Sequence, residues 1–203
     1  MSALPIVLEG SAVSALVVGG GRVAARKVRA LVGAGARVHV VAPTIVDDID
    51  ALATTNAALR ITRSRYELEH LGDATLVIAA TNDPAVNAAV AADARAARRL
   101  VNTVDRPELG DFISPAVHRC GDLVIAVTAG GVPSASARIR DSIGRKIDGR
   151  YAAAVRDLAA LRRRLIAAGH RDRWSEAAAV LVGDDFCERV ESGEFAAGIA
   201  EWR

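Results

Sequence analysis

The sequence predicts an α/β fold built on a doubly wound parallel sheet, and three observations carry that prediction. Short apolar runs alternate with segments of helical periodicity. The first run meets three glycines, in Ser14-Ala15-Leu16-Val17-Val18-Gly19-Gly20-Gly21-Arg22-Val23-Ala24-Ala25-Arg26-Lys27, and becomes an apolar/basic pattern with helical spacing. Of 203 residues 51% are apolar but only 3% are aromatic, so the core is built from Ala, Val, Leu and Ile, as buried sheet-and-helix layers often are.

Ala15–Val18 reads as the first strand, followed by a helix with Val28, Leu31 and Val32 on one face. Gly33-Ala34-Gly35 ends that helix, and Arg37–Val41 is the second strand. Asp47–Ala58 reads as a helix and Leu59–Ser64 as a third strand. Thr75–Ala80 is the fourth, and its continuous apolar character suits a central parallel position. Asp83-Pro84 offers an N-cap with proline at the first helical position, opening an alanine-rich helix to about Arg99. Leu100–Val104 is the fifth strand. After Pro115 the pattern changes: a strand at Asp122–Val127 runs into Thr128-Ala129-Gly130-Gly131-Val132-Pro133-Ser134, and a helix follows to about Ile147. Beyond a boundary at Gly149, Tyr151, Val155, Leu158, Leu161 and Leu165 form a helical stripe. Trp174, Leu181, Val182, Phe186 and Val190 continue as short helices. Residues 151–203 are too few for a robust separate core and are expected to pack on the preceding domain or on a partner subunit.

Composition narrows the functional classes. A net charge of +2 is too small for a general nucleic-acid binder. Lys27 and Lys146 are the only lysines, and all other basic residues are arginine. Arginine's fork suits carboxylates and phosphates, although genomic base composition is the plainer reading of the skew. Cys120 and Cys187 lie far apart without paired spacing, which indicates neither a disulfide framework nor a zinc site and fits a reducing cytoplasm. The opening Met1-Ser2-Ala3-Leu4-Pro5 lacks the basic region and long apolar run of a signal peptide. No apolar segment reaches the ~20 residues that cross a bilayer. The chain reads as soluble and cytoplasmic.

Gly19, Gly21 and Ala24 fit the G-x-G-x-x-G/A form of a strand, a tight turn and a helix N-terminus. Backbone N–H groups and the helix dipole there favour a diphosphate; a tight turn without a ligand is the plainer alternative. A ribose-binding acid is expected ~20 residues on, but the second strand ends Val41-Ala42-Pro43-Thr44. The ribose is then left to backbone groups or Thr44, and Arg22 leaves NAD against NADP open. Thr81-Asn82-Asp83 closes the fourth strand where a nicotinamide ribose would lie, while capping alone also explains Asp83. Asn102 and Asp105 end the fifth strand. Asp105 reads as a general base or acid facing the cleft, or as a turn aspartate before Arg106-Pro107. Ser114, in Phe112-Ile113-Ser114-Pro115, is a candidate polar contact. Thr128-Ala129-Gly130-Gly131 precedes a helix and could hold an anionic group, with Arg138 or Arg140 adding charge, or be a simple chain reversal. His39, His70, His118 and His170 are scattered without ligand spacing, so no protein-held metal is expected.

Taken together, these motifs resemble the precorrin-2 dehydrogenase family, including the N-terminal module of siroheme synthase. The resemblance rests on Val17–Lys27, Ala79-Ala80-Thr81-Asn82-Asp83, Val101-Asn102-Thr103-Val104-Asp105, Phe112-Ile113-Ser114-Pro115 and Ala126-Val127-Thr128-Ala129-Gly130-Gly131, and covers roughly residues 4–147. It implies oxidation of precorrin-2 to sirohydrochlorin with NAD⁺ as hydride acceptor, and in some members insertion of Fe²⁺ into sirohydrochlorin. The family's key aspartate matches Asp105, and its NAD-binding positions match Arg22, Val23, Pro43 and Thr44, which accounts for the missing acid. It also implies a homodimer in which the segment after Phe112 exchanges contacts between subunits. Ala129 departs from the serine common in the family, and no methyltransferase domain precedes Arg203.

The expected organisation is an NAD-binding Rossmann domain (1–112), a dimerisation and substrate-cleft segment (113–149) and a helical C-terminal domain (150–203). Asp105 is the expected catalytic residue. Gly19, Gly21, Arg22, Val23, Pro43, Thr44, Thr81, Asn82 and Asp83 are the expected cofactor positions. Asn102, Ser114, Thr128, Gly130, Gly131 and Arg138 are the expected substrate contacts. An iron-inserting bifunctional enzyme and a non-catalytic NAD(H)-sensing module are the alternatives. No nucleic acid or membrane partner is expected.

Overall fold

Parallel strands buried on both faces demand unbroken apolar runs, and β1 (Ser14–Val18) and β4 (Leu76–Ala79) are such runs. In the computed structural model, which describes residues 3–202, they pair at the centre of a five-stranded parallel sheet. Its order is β3-β2-β1-β4-β5, with β2 (Arg37–Val41), β3 (Leu59–Thr62) and β5 (Leu100–Thr103) completing it. This is the α/β doubly wound arrangement of a Rossmann fold. Met1 and Ser2 of the stretch read for a leader, and Arg203 at the end of the 150–203 segment, lie outside the described residues.

The chain divides between Ser114 and Pro115 into two compact units. In the first, α1 (Arg22–Gly33) and α2 (Asp47–Thr55) cover one face of the sheet, where Val17, Ile78, Val28 and Ile49 share a core. On the other face α3 (Pro84–Ala96) packs Val90, Ala91 and Ala94 against Leu16, Val77 and Val101. Ala24 and Val28 are fully buried, because apolar residues three and four apart share one helix face.

Three boundaries fall short of the sequence reading for local reasons. The second helix stops at Thr55 because Asn56 turns extended and its Oδ1 accepts the Ala58 N–H at 2.9 Å, an asparagine competing with helical bonding. β3 ends at Thr62, where β2, its one strand partner among the described residues, ends at Val41. The third helix closes at Ala96 because Arg98 takes φ 56° and the Arg99 N–H returns to the Ala94 carbonyl at 2.8 Å, a Schellman closure.

The second unit opens with a strand that the sequence reading missed, β6 (Ala116–Cys120), paired antiparallel with β7 (Leu123–Val127). His118 and Arg119 interrupt its apolar character, which hid it. Gly121, at φ 55°, starts the two-residue hairpin, as positive φ requires. α4 (Pro133–Lys146) lies close on β6: a Cβ at Gly144 would meet His118 Nδ1 at 2.8 Å. Then come α5 (Gly149–Ala167), α6 (Arg171–Leu181), α7 (Phe186–Ser192) and α8 (Glu194–Ala200). Their core of Tyr151, Leu161, Leu181 and Phe195 also takes in Leu123 and Ile147. One apolar cluster therefore runs across position 149. No helix among the described residues is long and apolar enough to cross a membrane.

His39 on β2 is wedged between Thr62 Oγ1, 2.9 Å from Nε2, and the Arg60 guanidinium, which donates to Nδ1 at 2.9 Å. Burial, then the Arg60 charge, then His70, push its pKa from 6.5 down to about 4. Between those values the unfolded chain binds a proton that the folded chain refuses, so stability falls as pH drops from 6.5 toward 4. In denaturant titrations across that window, His39→Gln should show a shallower acid loss of stability than the parent protein.

Candidate active site

The registers bring the C-terminal ends of the central strands level: Val18 pairs with Val41 and with Ala79, and Ala79 with Thr103. The loops that follow share one rim, which therefore carries Gly19–Gly21, Pro43-Thr44, Thr81–Asp83 and Asp105. Ligands of open parallel sheets bind at this edge.

Each glycine of the first turn has its own physical reason. Gly19 has φ 128°, and a Cβ there would lie 2.3 Å from the Ala80 carbonyl oxygen at the end of β4. A Cβ on Gly20 would lie 2.0 Å from the Thr44 carbonyl, and the Gly20 carbonyl accepts the Val46 N–H at 2.9 Å. These two glycines serve the protein's own packing. Gly21 caps α1, and a Cβ there would meet nothing within 4 Å. Its smallness leaves open space at a helix N-terminus, the place where a dinucleotide diphosphate approaches the backbone. The residues therefore fit NAD. Arg22 and Val23 open that helix on its exposed side, and Val23 is 42% exposed although apolar. Pro43 and Thr44 are exposed at the next loop, and the following acids are on α2. There Asp48 pairs with Arg29 at 3.1 Å and Asp50 with Arg63 at 2.6 Å.

A hydrogen-bond network joins the β4 and β5 loops. Asn87, on α3 and 1% exposed, accepts at Oδ1 from the Thr81 N–H at 3.1 Å and the Thr81 hydroxyl at 2.8 Å. Its Nδ2 donates to the Thr81 carbonyl at 3.2 Å and to Asp105 Oδ1 at 3.0 Å. The other oxygen of Asp105 lies 3.9 Å from Arg106 Nε, and the Asp105 side chain keeps 26% of its surface exposed. Asp83 is occupied as the cap of α3, its Oδ1 accepting from Ala85 N–H at 2.8 Å, while Asn82 stands exposed.

Asn102 is placed differently from a rim residue. It is 6% exposed and its Nδ2 donates to the Phe112 carbonyl at 2.8 Å, tying down the segment after β5. Ser114 is exposed and its hydroxyl accepts from Lys27 Nζ at 2.8 Å. Burial, helped by the Arg26 charge, lowers the Lys27 pKa. In the second unit, Gly130 (φ 55°) and Gly131 (φ 82°) make the turn before α4, closed by Val132 N–H to the Ala129 carbonyl at 2.8 Å. Thr128, Gly130 and Gly131 are exposed there, as is Arg138 on α4.

The sequence reading missed Asn87 and Lys27. The visible signal for Asn87 was a lone polar residue in the apolar run Pro84-Ala85-Val86-Asn87-Ala88-Ala89-Val90, about two turns of helix with no other amide. Among the described residues no three His, Cys, Asp or Glu side chains come together as a metal site.

Fold and rim together define a dinucleotide-binding domain. The family described as "Putative NAD(P)-binding" matches residues 6–116, more than half of the chain. The chain belongs to this NAD(P)-binding family. It is 42% identical over 139 residues to a siroheme synthase of Nitrosomonas europaea, covering 68% of this chain and 29% of that protein. A siroheme synthase of Saccharophagus degradans is 39% identical over 152 residues, covering 74% and 33%. The chain thus spans about a third of the length of these relatives. A solved structure, SirC, a precorrin-2 dehydrogenase, superposes with a TM-score of 0.75 at 27% identity, covering 98% of this chain and 100% of that one.

The two glycine positions separate folding from binding. Gly19→Ala should lower stability by about 3 kcal/mol or more, since backbone must move. Gly21→Ala should stay within ~1 kcal/mol of the parent while losing NAD(H) affinity by about tenfold or more. Thermal melts and fluorescence titration with NADH check both.

Proposed function

We propose that this chain is an NAD⁺-dependent dehydrogenase that oxidises precorrin-2 to sirohydrochlorin. The observation that carries the proposal is a carboxylate, Asp105, held by Asn87 on the same strand-end rim as the open N-terminus at Gly21. The match to SirC over essentially both chains supports the substrate.

In this reading the Gly21 turn and the N-terminus of α1 hold the diphosphate. Arg22, Val23, Pro43 and Thr44 line the adenosine side, and Gly19 keeps the turn seated on β4. Thr81, Asn82 and Asp83 border the nicotinamide side. Bound NAD⁺ supplies the hydride acceptor. Loss of a hydride from substrate carbon leaves a proton to be removed, and Asp105 takes it. Thr81 and Asn87 keep that carboxylate in place, so its proton transfer needs no rearrangement. The substrate is a polycarboxylate, and we assign its anionic groups to Ser114, Thr128, Gly130, Gly131 and Arg138, with Asn102 shaping the loop that carries Ser114.

We also propose that the protein is a homodimer, with residues 113–149 as the dimerisation and substrate segment, 1–112 as the NAD-binding domain and 150–203 as the helical domain. A two-stranded sheet is marginal alone, and β6–β7 has no further strand partner among the described residues. Val124, Val132 and Ile139 stand exposed on that segment, as apolar interface residues do. The two free thiols, Cys120 and Cys187, suit a cytoplasmic enzyme.

Asp105→Ala should cut NAD⁺-dependent sirohydrochlorin formation by about 100-fold or more while NAD(H) titrations remain unchanged. An absorbance assay with precorrin-2 reads the first; undiminished turnover would sink the assignment. Light scattering on the purified chain should give twice the 21.2 kDa mass of one chain.

A further inference from the structure

We propose that Asn87 is a positioning residue of the dehydrogenation, deciding which oxygen of Asp105 is free to take the proton. The inference rests on Asp105 as the base. A buried amide on an otherwise apolar helix face is costly unless its bonds are made, and Asn87 shares its face with fully buried Val90, Ala91 and Ala94. All four bonds of its amide are accounted for, two accepted and two donated, which is the full capacity of an asparagine.

That saturation removes the usual ambiguity of an amide. The Thr81 backbone N–H can only donate, so the atom 3.1 Å from it is oxygen. The remaining atom is the NH₂ group, and its hydrogens point at the Thr81 carbonyl and at Asp105 Oδ1. Asp105 Oδ1 must therefore accept, and a proton reaching the carboxylate lands on Oδ2. The charged group beside it is Arg106, with Nε 3.9 Å from Oδ2; on the neighbouring loop, Asp83 Oδ1 is engaged by the α3 cap. A purely architectural Asn87 would hold the Thr81 turn and leave the proton step alone.

Asn87→Asp keeps the shape and the oxygen facing Thr81 but sets an oxygen against Asp105. Its kcat should fall by about tenfold or more, with KM for NAD⁺ within about threefold of the parent. The acid limb of its kcat–pH profile should move up by about one unit. Asn87→Ser, which drops the donor without adding charge, should lower kcat with a smaller shift. Asp105→Asn is measured alongside. If it retains full turnover, the assignment of the base falls. If it is inactive while Asn87→Asp keeps a parental kcat and an unmoved limb, the positioning role alone is overturned. A readout in the unaltered protein needs no variant to fold: the Asn87 side-chain amide resonances should titrate with the midpoint of the acid limb. Resonances that stay still across that limb would overturn the proposal.

Discussion

The close seating of the β1–α1 turn on the end of β4 is the constraint on which the rest depends. Gly19 lies so near the Ala80 carbonyl that a Cβ would sit 2.3 Å from it, and Gly20 stands equally tight against Thr44. Because no side chain intervenes, three strand ends meet at one level and their loops share a rim. Parallel pairing then carries that level outward to β5, whose end delivers Asp105. A larger residue at Gly19 would lift the turn away from the end of β4.

The site is economical in its use of polar groups. Asp83 is committed to capping α3, Asn102 to the Phe112 carbonyl and Asn87 to Thr81 and Asp105. Each is a buried or capping bond whose loss would leave an orphaned backbone group. Asp83 and Asp105 are the two of the set that stay exposed, while Asn87 and Asn102 are buried. Burial separates the two amides from the two carboxylates: Asn87 is fully bonded inside, whereas Asn102 bonds through Nδ2 and its Oδ1 stays buried without a hydrogen-bond partner.

Much of this was legible in the sequence. Alternating apolar runs and helical periodicity announced the parallel sheet, since period and burial are local properties of the chain. The Gly19–Gly21 turn and Asp83-Pro84 declared themselves by residue type, because only glycine tolerates that approach and only a small acceptor caps well. Helix ends were less legible: Asn56 and Arg98 end their helices early through side-chain competition and a left-handed closure that periodicity does not register. β6 was hidden because His118 and Arg119 break its apolar run, and its pairing with β7 is a tertiary fact.

By itself, the sequence determined the fold class, the glycine turn between β1 and α1 and the family, all of which rest on short-range patterns of residue type. Only the tertiary structure decided which polar residues meet. Asn87 and Asp105 lie 18 positions apart, and nothing in either neighbourhood announces the other. The helix must pack on the sheet before its one buried amide finds the carboxylate at the end of β5. Likewise, only packing could sort the glycines into two that the fold needs and one, Gly21, whose missing Cβ leaves room for a ligand.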